Sequence, residues 1–104
     1  MKILAIEKNI RGVNDDRFTP QLLQAEAARA WELTQGGTIR ELYFRADREE
    51  AVLILECVDV PEASNILDSL PLVKNRMISF ELIPPKPYPG FARLFQHQRS
   101  QSNE

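Results

Sequence analysis

Three glutamates, Glu7, Glu56 and Glu81, sit at strand-like positions where most neighbours are apolar, and Tyr43, Arg45 and Ser79 sit in runs of the same kind. A carboxylate shut away from water keeps its proton to higher pH, so it can take and return one near neutrality. A nearby phenol or guanidinium can hold an anion or a developing negative charge. Other chemistries are poorly supplied. His97 is the only histidine and lies in the tail, which argues against a histidine metal site or a histidine triad. Ser79 has no histidine close by in sequence to activate it as a nucleophile, and no glycine-rich phosphate loop or metal-ligand cluster is present in the sequence.

The chain has 104 residues, enough for one domain with one core and too few for two. A net charge of −2 carries no electrostatic footprint for nucleic acid or an anionic membrane surface, so neither is expected as a partner. Cys57 is the single cysteine, lies at the end of an apolar run, and is expected to be a reduced buried thiol. The apolar stretch at the start is interrupted at once by Glu7 and Lys8, too short for a signal peptide or a membrane span, and a cytoplasmic location is the expectation.

The elements that must position these residues follow from periodicity. Ile3 to Lys8 reads as a strand. Thr19-Pro20 reads as a helix start, the hydroxyl accepting an orphan amide and proline giving up a donor that has no partner. The helix is expected to bury Leu23, Ala27, Ala30, Trp31 and Thr34 and to close at Gly36-Gly37. Ile39 to Ala46 and Ala51 to Val58 read as a hairpin around Asp47-Arg48-Glu49-Glu50. Asp59 and Glu62 form a capping-box pattern, Ala63, Ile66, Leu67 and Leu70 a helical stripe, and Pro71 its stop. Met77 to Ile83 alternates as a fourth strand.

Four of the seven prolines fall between Pro84 and Pro89, so the chain should leave the sheet as an extended arm. Phe91, Leu94 and Phe95 suggest a short amphipathic segment, and His97 to Glu104 a frayed tail. Residues 1–84 thus form a domain and 85–104 an arm. Tyr88, Phe91 and Phe95 would dock on a partner subunit or clasp their own.

A β-α-β-β-α-β order specifies an α+β, ferredoxin-like fold, an antiparallel sheet with two helices on one face. If Leu4, Ile6, Leu53, Leu55, Ile78, Phe80 and Leu82 face the helices, the other face presents Ala5, Glu7, Val52, Ile54, Glu56, Met77, Ser79, Glu81 and Ile83, joined by Glu41, Tyr43 and Arg45. Such a surface calls for a second copy, and two copies face to face would form a homodimer around a small acidic chamber, or part of a larger homo-oligomer.

The helix carrying Leu22, Glu26 and Leu33, the turn at Gly37, Arg40-Glu41-Leu42-Tyr43 and Leu70-Pro71-Leu72 together resemble the muconolactone isomerases and their relatives, over the stretch from Gln21 to Ile83. The resemblance implies a dimeric α+β barrel. In the true isomerases it implies removal of a proton from one carbon of an unsaturated lactone and its return at another, with no metal or organic cofactor. It also singles out Glu26, which otherwise reads as a helix glutamate paired with Arg29. The ending from Pro84 to Phe91 departs from the family.

The candidates for proton transfer are then Glu26 and Glu56, with Glu7 and Glu81 behind them. Tyr43, Arg45 and Ser79 are candidates for holding an unsaturated anionic small molecule. The competing reading is a non-catalytic small-molecule-binding or assembly module of the same fold, its lumen filled by Met77, Ile83 and Phe91.

Overall fold

The computed structural model describes residues 1–95; the expected frayed tail and His97 lie outside the described residues. Four strands, β1 (Lys2–Asn9), β2 (Ile39–Phe44), β3 (Ala51–Glu56) and β4 (Ile78–Ile83), form one antiparallel sheet in the order β2-β3-β1-β4. Three helices, α1 (Pro20–Gln35), α2 (Val60–Leu67) and α3 (Pro71–Lys74), pack on one face. This is the expected α+β architecture.

The helix ends obey local chemistry. Thr19 caps α1 by accepting from the Leu22 amide at 3.2 Å, with Pro20 at the first position, and Gly37 takes φ +83° just beyond the end. Asp59 caps α2 by accepting from the Glu62 amide at 2.9 Å, while Glu62 reaches back to accept from Val58 N at 2.8 Å. Pro71 does more than end a helix. α2 has already ended at Leu67, and Pro71 opens the short α3.

The core joins Ile3, Ala5, Ile39, Leu53 and Leu55 of the sheet to Leu33, Ala63, Leu67 and Leu70 of the helical layer. Each large aliphatic side chain buried there contributes roughly 2 kcal/mol relative to exposure. The expected phase of β1 is reversed: Ile3, Ala5 and Glu7 face the helices, and Leu4 and Ile6 lie on the open face. From Ile3 to Ile6 every residue is apolar, so alternation carries no phase. Pairing decides it, with Ala5 opposite Leu53 and Leu82, and Glu7 opposite Phe80. Met77 also leaves the open face; it precedes β4 and is buried with Leu72 and Ile78.

The stripe of α1 is rotated as well. Leu22, Glu26, Ala30 and Leu33 turn inward, whereas Leu23, Ala27, Trp31 and Thr34 remain exposed. Arg29 Nε donates to Ser69 Oγ at 2.9 Å, tying one flank of α1 to the segment between α2 and α3. At 100° per residue, Leu23 and Ala27 lie on the flank opposite Arg29, toward β2. The amphipathic segment expected at 91–95 forms a 3₁₀ turn over Pro89–Leu94 that buries none of its side chains.

Candidate functional site

The covered face of the sheet carries one acid. Glu7 stands on β1 opposite Phe80, and its Oε1 accepts from the Ala51 amide at 2.9 Å; Ala51 opens β3 opposite Phe44. Glu7 and Glu50 are the buried charged residues among those described, at 8% and 6% exposure.

A second carboxylate reaches toward it from above. Glu26 lies on the inward stripe of α1, and its Oε1 accepts from the Leu72 amide at 2.9 Å. That amide is an orphan donor in the first turn of α3, and Pro71 ahead of it has no hydrogen to offer. The Leu70-Pro71-Leu72 element and Glu26 are thereby joined by one bond. In both carboxylates Oε1 carries the protein hydrogen bond, and no described residue donates to Oε2.

The electrostatics push both groups the same way. Burial raises the Glu7 pKa above the ordinary carboxylate value, the bond from Ala51 pulls it back, and the charges of Glu50 and Glu26 raise it further. Burial likewise raises Glu26, opposed by the bond from Leu72. The charges that act on Glu7 are carboxylates. Glu50, the last residue of the polar hairpin connection, is buried and paired with Arg45 at 3.6 Å and Arg48 at 3.7 Å. A hairpin turn gives no periodic signal for burial, so nothing in the local pattern distinguishes Glu50 from Glu49.

The remaining candidates lie elsewhere. Glu56 is on the open face in an ion pair with the Met1 amine at 2.7 Å, which lowers its pKa, opposite to what a base working near neutrality needs. Glu81 is also on the open face, 3.5 Å from Lys8 Nζ. Tyr43 donates its hydroxyl to Glu41 at 2.7 Å, a bond that raises the tyrosine pKa, and stands opposite Val52 on that same open face. Arg45 is engaged by Asp47 at 2.9 and 2.7 Å, and Ser79 Oγ lies 3.5 Å from the Lys8 carbonyl. The expected acidic chamber between two sheets therefore loses Glu7, and the helices' side of the sheet gains it, together with Glu26.

The strip beside this pair is uncovered. Leu42 and Phe44 share the helix-facing side of β2 yet are 45% and 67% exposed, and on α1 Leu23 and Trp31 are exposed as well. Two protonatable carboxylates between α1 and a sheet with an exposed apolar edge are suited to proton transfer on an unsaturated small molecule. A separate hollow of about 140 Å³ between α2 and β4 is lined by Ser64, Asp68 and Phe80 among others, and none of the candidate acids contributes to it. No group of three or more potential metal ligands occurs among the described residues, and no described helix is long and apolar enough to cross a membrane.

No family model and no curated protein matches the sequence. Solved structures do. A muconolactone isomerase superposes with a TM-score of 0.66 at 20% identity, over 86% of this chain and 92% of that one. A 5-chloro-2-hydroxyhydroquinone dehydrochlorinase (TftG) from Burkholderia phenoliruptrix AC1100, in complex with 2,5-dihydroxybenzoquinone, superposes with a TM-score of 0.58 at 19% identity, over 85% of this chain and 96% of that one. Both comparisons span nearly the whole domain, and this chain therefore has the fold of muconolactone isomerase.

Proposed function

We propose that this chain is a muconolactone-isomerase-like enzyme that moves a proton on an unsaturated small molecule, using Glu26 and Glu7 in place of the wider set expected from the sequence. The observation that carries the reading is the pair itself: two carboxylates against the covered face of the sheet, both with raised pKa, each anchored through one oxygen to a backbone amide. Fold likeness to an isomerase and a dehydrochlorinase, both acting on small molecules by their names, supports the same class.

The roles follow from the surroundings. Both carboxylates are raised above the ordinary range, and of the pair Glu26, which the resemblance singles out, is assigned as the base and Glu7, beside two other carboxylates, as the acid. Ionised Glu26 removes a proton from a carbon beside the substrate carbonyl, the electron pair passing to the carbonyl oxygen as an enolate. Protonated Glu7 returns a proton at the far end of the conjugated system as that pair flows back. One proton then passes from Glu26 to Glu7 to restore the resting state. The backbone bonds hold each Oε1, which leaves Oε2 of each group for the substrate.

The open face presents Leu4, Ile6, Val52 and Ile54 between charged neighbours and fits a second copy, so we assign it to a homodimer. Tyr43, Arg45, Glu56 and Glu81 then belong to that contact and not to the chemistry. The test uses muconolactone as probe and follows isomerisation and solvent deuterium uptake by NMR. Glu26→Gln and Glu7→Gln should each lower turnover, and turnover equal to that of the native chain in both variants would overturn the assignment.

A further inference from the structure

The hairpin between β2 and β3 is closed by charge. Arg45 grips Asp47 through two bonds of 2.9 and 2.7 Å, and Glu50 meets the guanidinium of Arg45 at 3.6 Å and that of Arg48 at 3.7 Å. The backbone repeats the closure, Arg45 N donating to the Glu50 carbonyl at 2.9 Å and Glu50 N to the Arg48 carbonyl at 2.8 Å. Glu50 is thereby fixed in side chain and main chain at once. The next residue, Ala51, is the one whose amide donates to Glu7 Oε1 at 2.9 Å.

This network is lopsided. The side chains of Arg45, Arg48 and Asp47 are 32%, 57% and 60% exposed, so water screens them, whereas Glu50 is buried. A charge out of water acts more strongly than one within it. From the position of Glu7 the hairpin therefore presents a carboxylate: the charges of Glu50 and of Glu26 on α1 act on Glu7, and Phe80, opposite it on β4, carries none. A turn that only had to close would gain little from a buried acid, because the cost of taking its charge out of water is barely offset by its partners.

We propose that Glu50 is a positioning residue for Glu7: clamped by Arg45 and Arg48, it holds a fixed negative charge next to the Ala51 anchor and so keeps the proton on Glu7 until the enolate is ready to receive it. This role rests on the reading of Glu7 as the acid. Glu50 touches no reacting atom and acts through Glu7 alone, by its charge and by the placement of Ala51.

The test is a pH titration of the glutamate side-chain carboxyls by carbon NMR in the full chain. In Glu50→Gln, which keeps the shape and loses the charge, the Glu7 midpoint should fall toward the ordinary carboxylate value, and Glu49→Gln, at the exposed position beside it, should move that midpoint several-fold less. Glu50→Asp keeps the charge and should return the midpoint toward that of the native chain. The high-pH limb of turnover, where the acid is lost, should move to lower pH in Glu50→Gln. A residue that only closed the turn would lower stability and leave both midpoint and limb in place. The coupling is reciprocal, so the Glu50 carboxyl should titrate at lower pH in Glu7→Gln than in the native chain, a measurement that does not need Glu50→Gln to fold. An unmoved Glu7 midpoint in folded Glu50→Gln, or an unmoved Glu50 midpoint in Glu7→Gln, would overturn the proposal and leave the proton-transfer assignment standing. Coupled midpoints in a chain without turnover on muconolactone would do the reverse.

Discussion

The two faces of this sheet treat a glutamate in opposite ways. On the open face Glu56 meets the Met1 amine, Glu81 meets Lys8 and Glu41 meets the Tyr43 hydroxyl, all with water nearby. On the covered face Glu7 meets a backbone amide and other carboxylates. Paired and wet, a carboxylate is an ordinary anion whose contact adds little to stability. Buried beside like charge, it keeps its proton to higher pH than an ordinary carboxylate. The same residue type in neighbouring positions of one fold is thus a surface group or a reactive one according to which side of a strand it occupies.

The sharpest way to break this contrast is through turnover. Glu26→Gln and Glu7→Gln should lower it by about 100- to 10,000-fold, the usual worth of a positioned acid or base. Glu56→Gln and Glu81→Gln should leave it unchanged, and a large loss in either would return the chemistry to the open face. Next in size is the core that supports the covered side. Leu55→Ala should destabilise the domain by about 2–5 kcal/mol in urea unfolding, because Leu55 is fully buried in the core.

The pH dependence of stability sharpens the comparison further. Glu7 and Glu26 have raised pKa values in the folded chain, so the unfolded chain releases those protons first and folding stability falls as pH rises from the ordinary carboxylate range through the raised values. Glu7→Gln keeps an acceptor for Ala51 but cannot ionise, and its unfolding midpoint should fall less over that window. Glu56, with its lowered pKa, has the opposite sign: its stabilisation is present above the ordinary carboxylate value and is lost as pH falls through the lowered one. Smaller again is the cap, where Asp59→Ala should cost about 1 kcal/mol. Lys8→Ala should cost under about 0.5 kcal/mol, since its pair with Glu81 is half exposed.

Much of this architecture is legible in the residues. Thr19-Pro20, Gly36-Gly37, Asp59 with Glu62, and the alternation of Ile78, Phe80 and Leu82 each act through bonds or torsions within a few residues, and each appears where local chemistry requires it. Glu26 is marked only by the resemblance, and its bond to Leu72 spans the gap between α1 and α3. Three features escape local reading. The phase of β1 is hidden in an all-apolar run, the rotation of α1 is set by its contacts with α3 and β2, and the burial of Glu50 arises from Arg45 and Arg48 closing over it.

By itself, then, the order of short-range patterns determined the elements, their ends and the antiparallel sheet with helices on one face, because those follow from torsions, caps and period within single segments. Only the tertiary structure decided which carboxylates lose their water. That depends on strand register and on which flank of α1 meets the sheet, and both are settled by contacts between residues far apart in the chain.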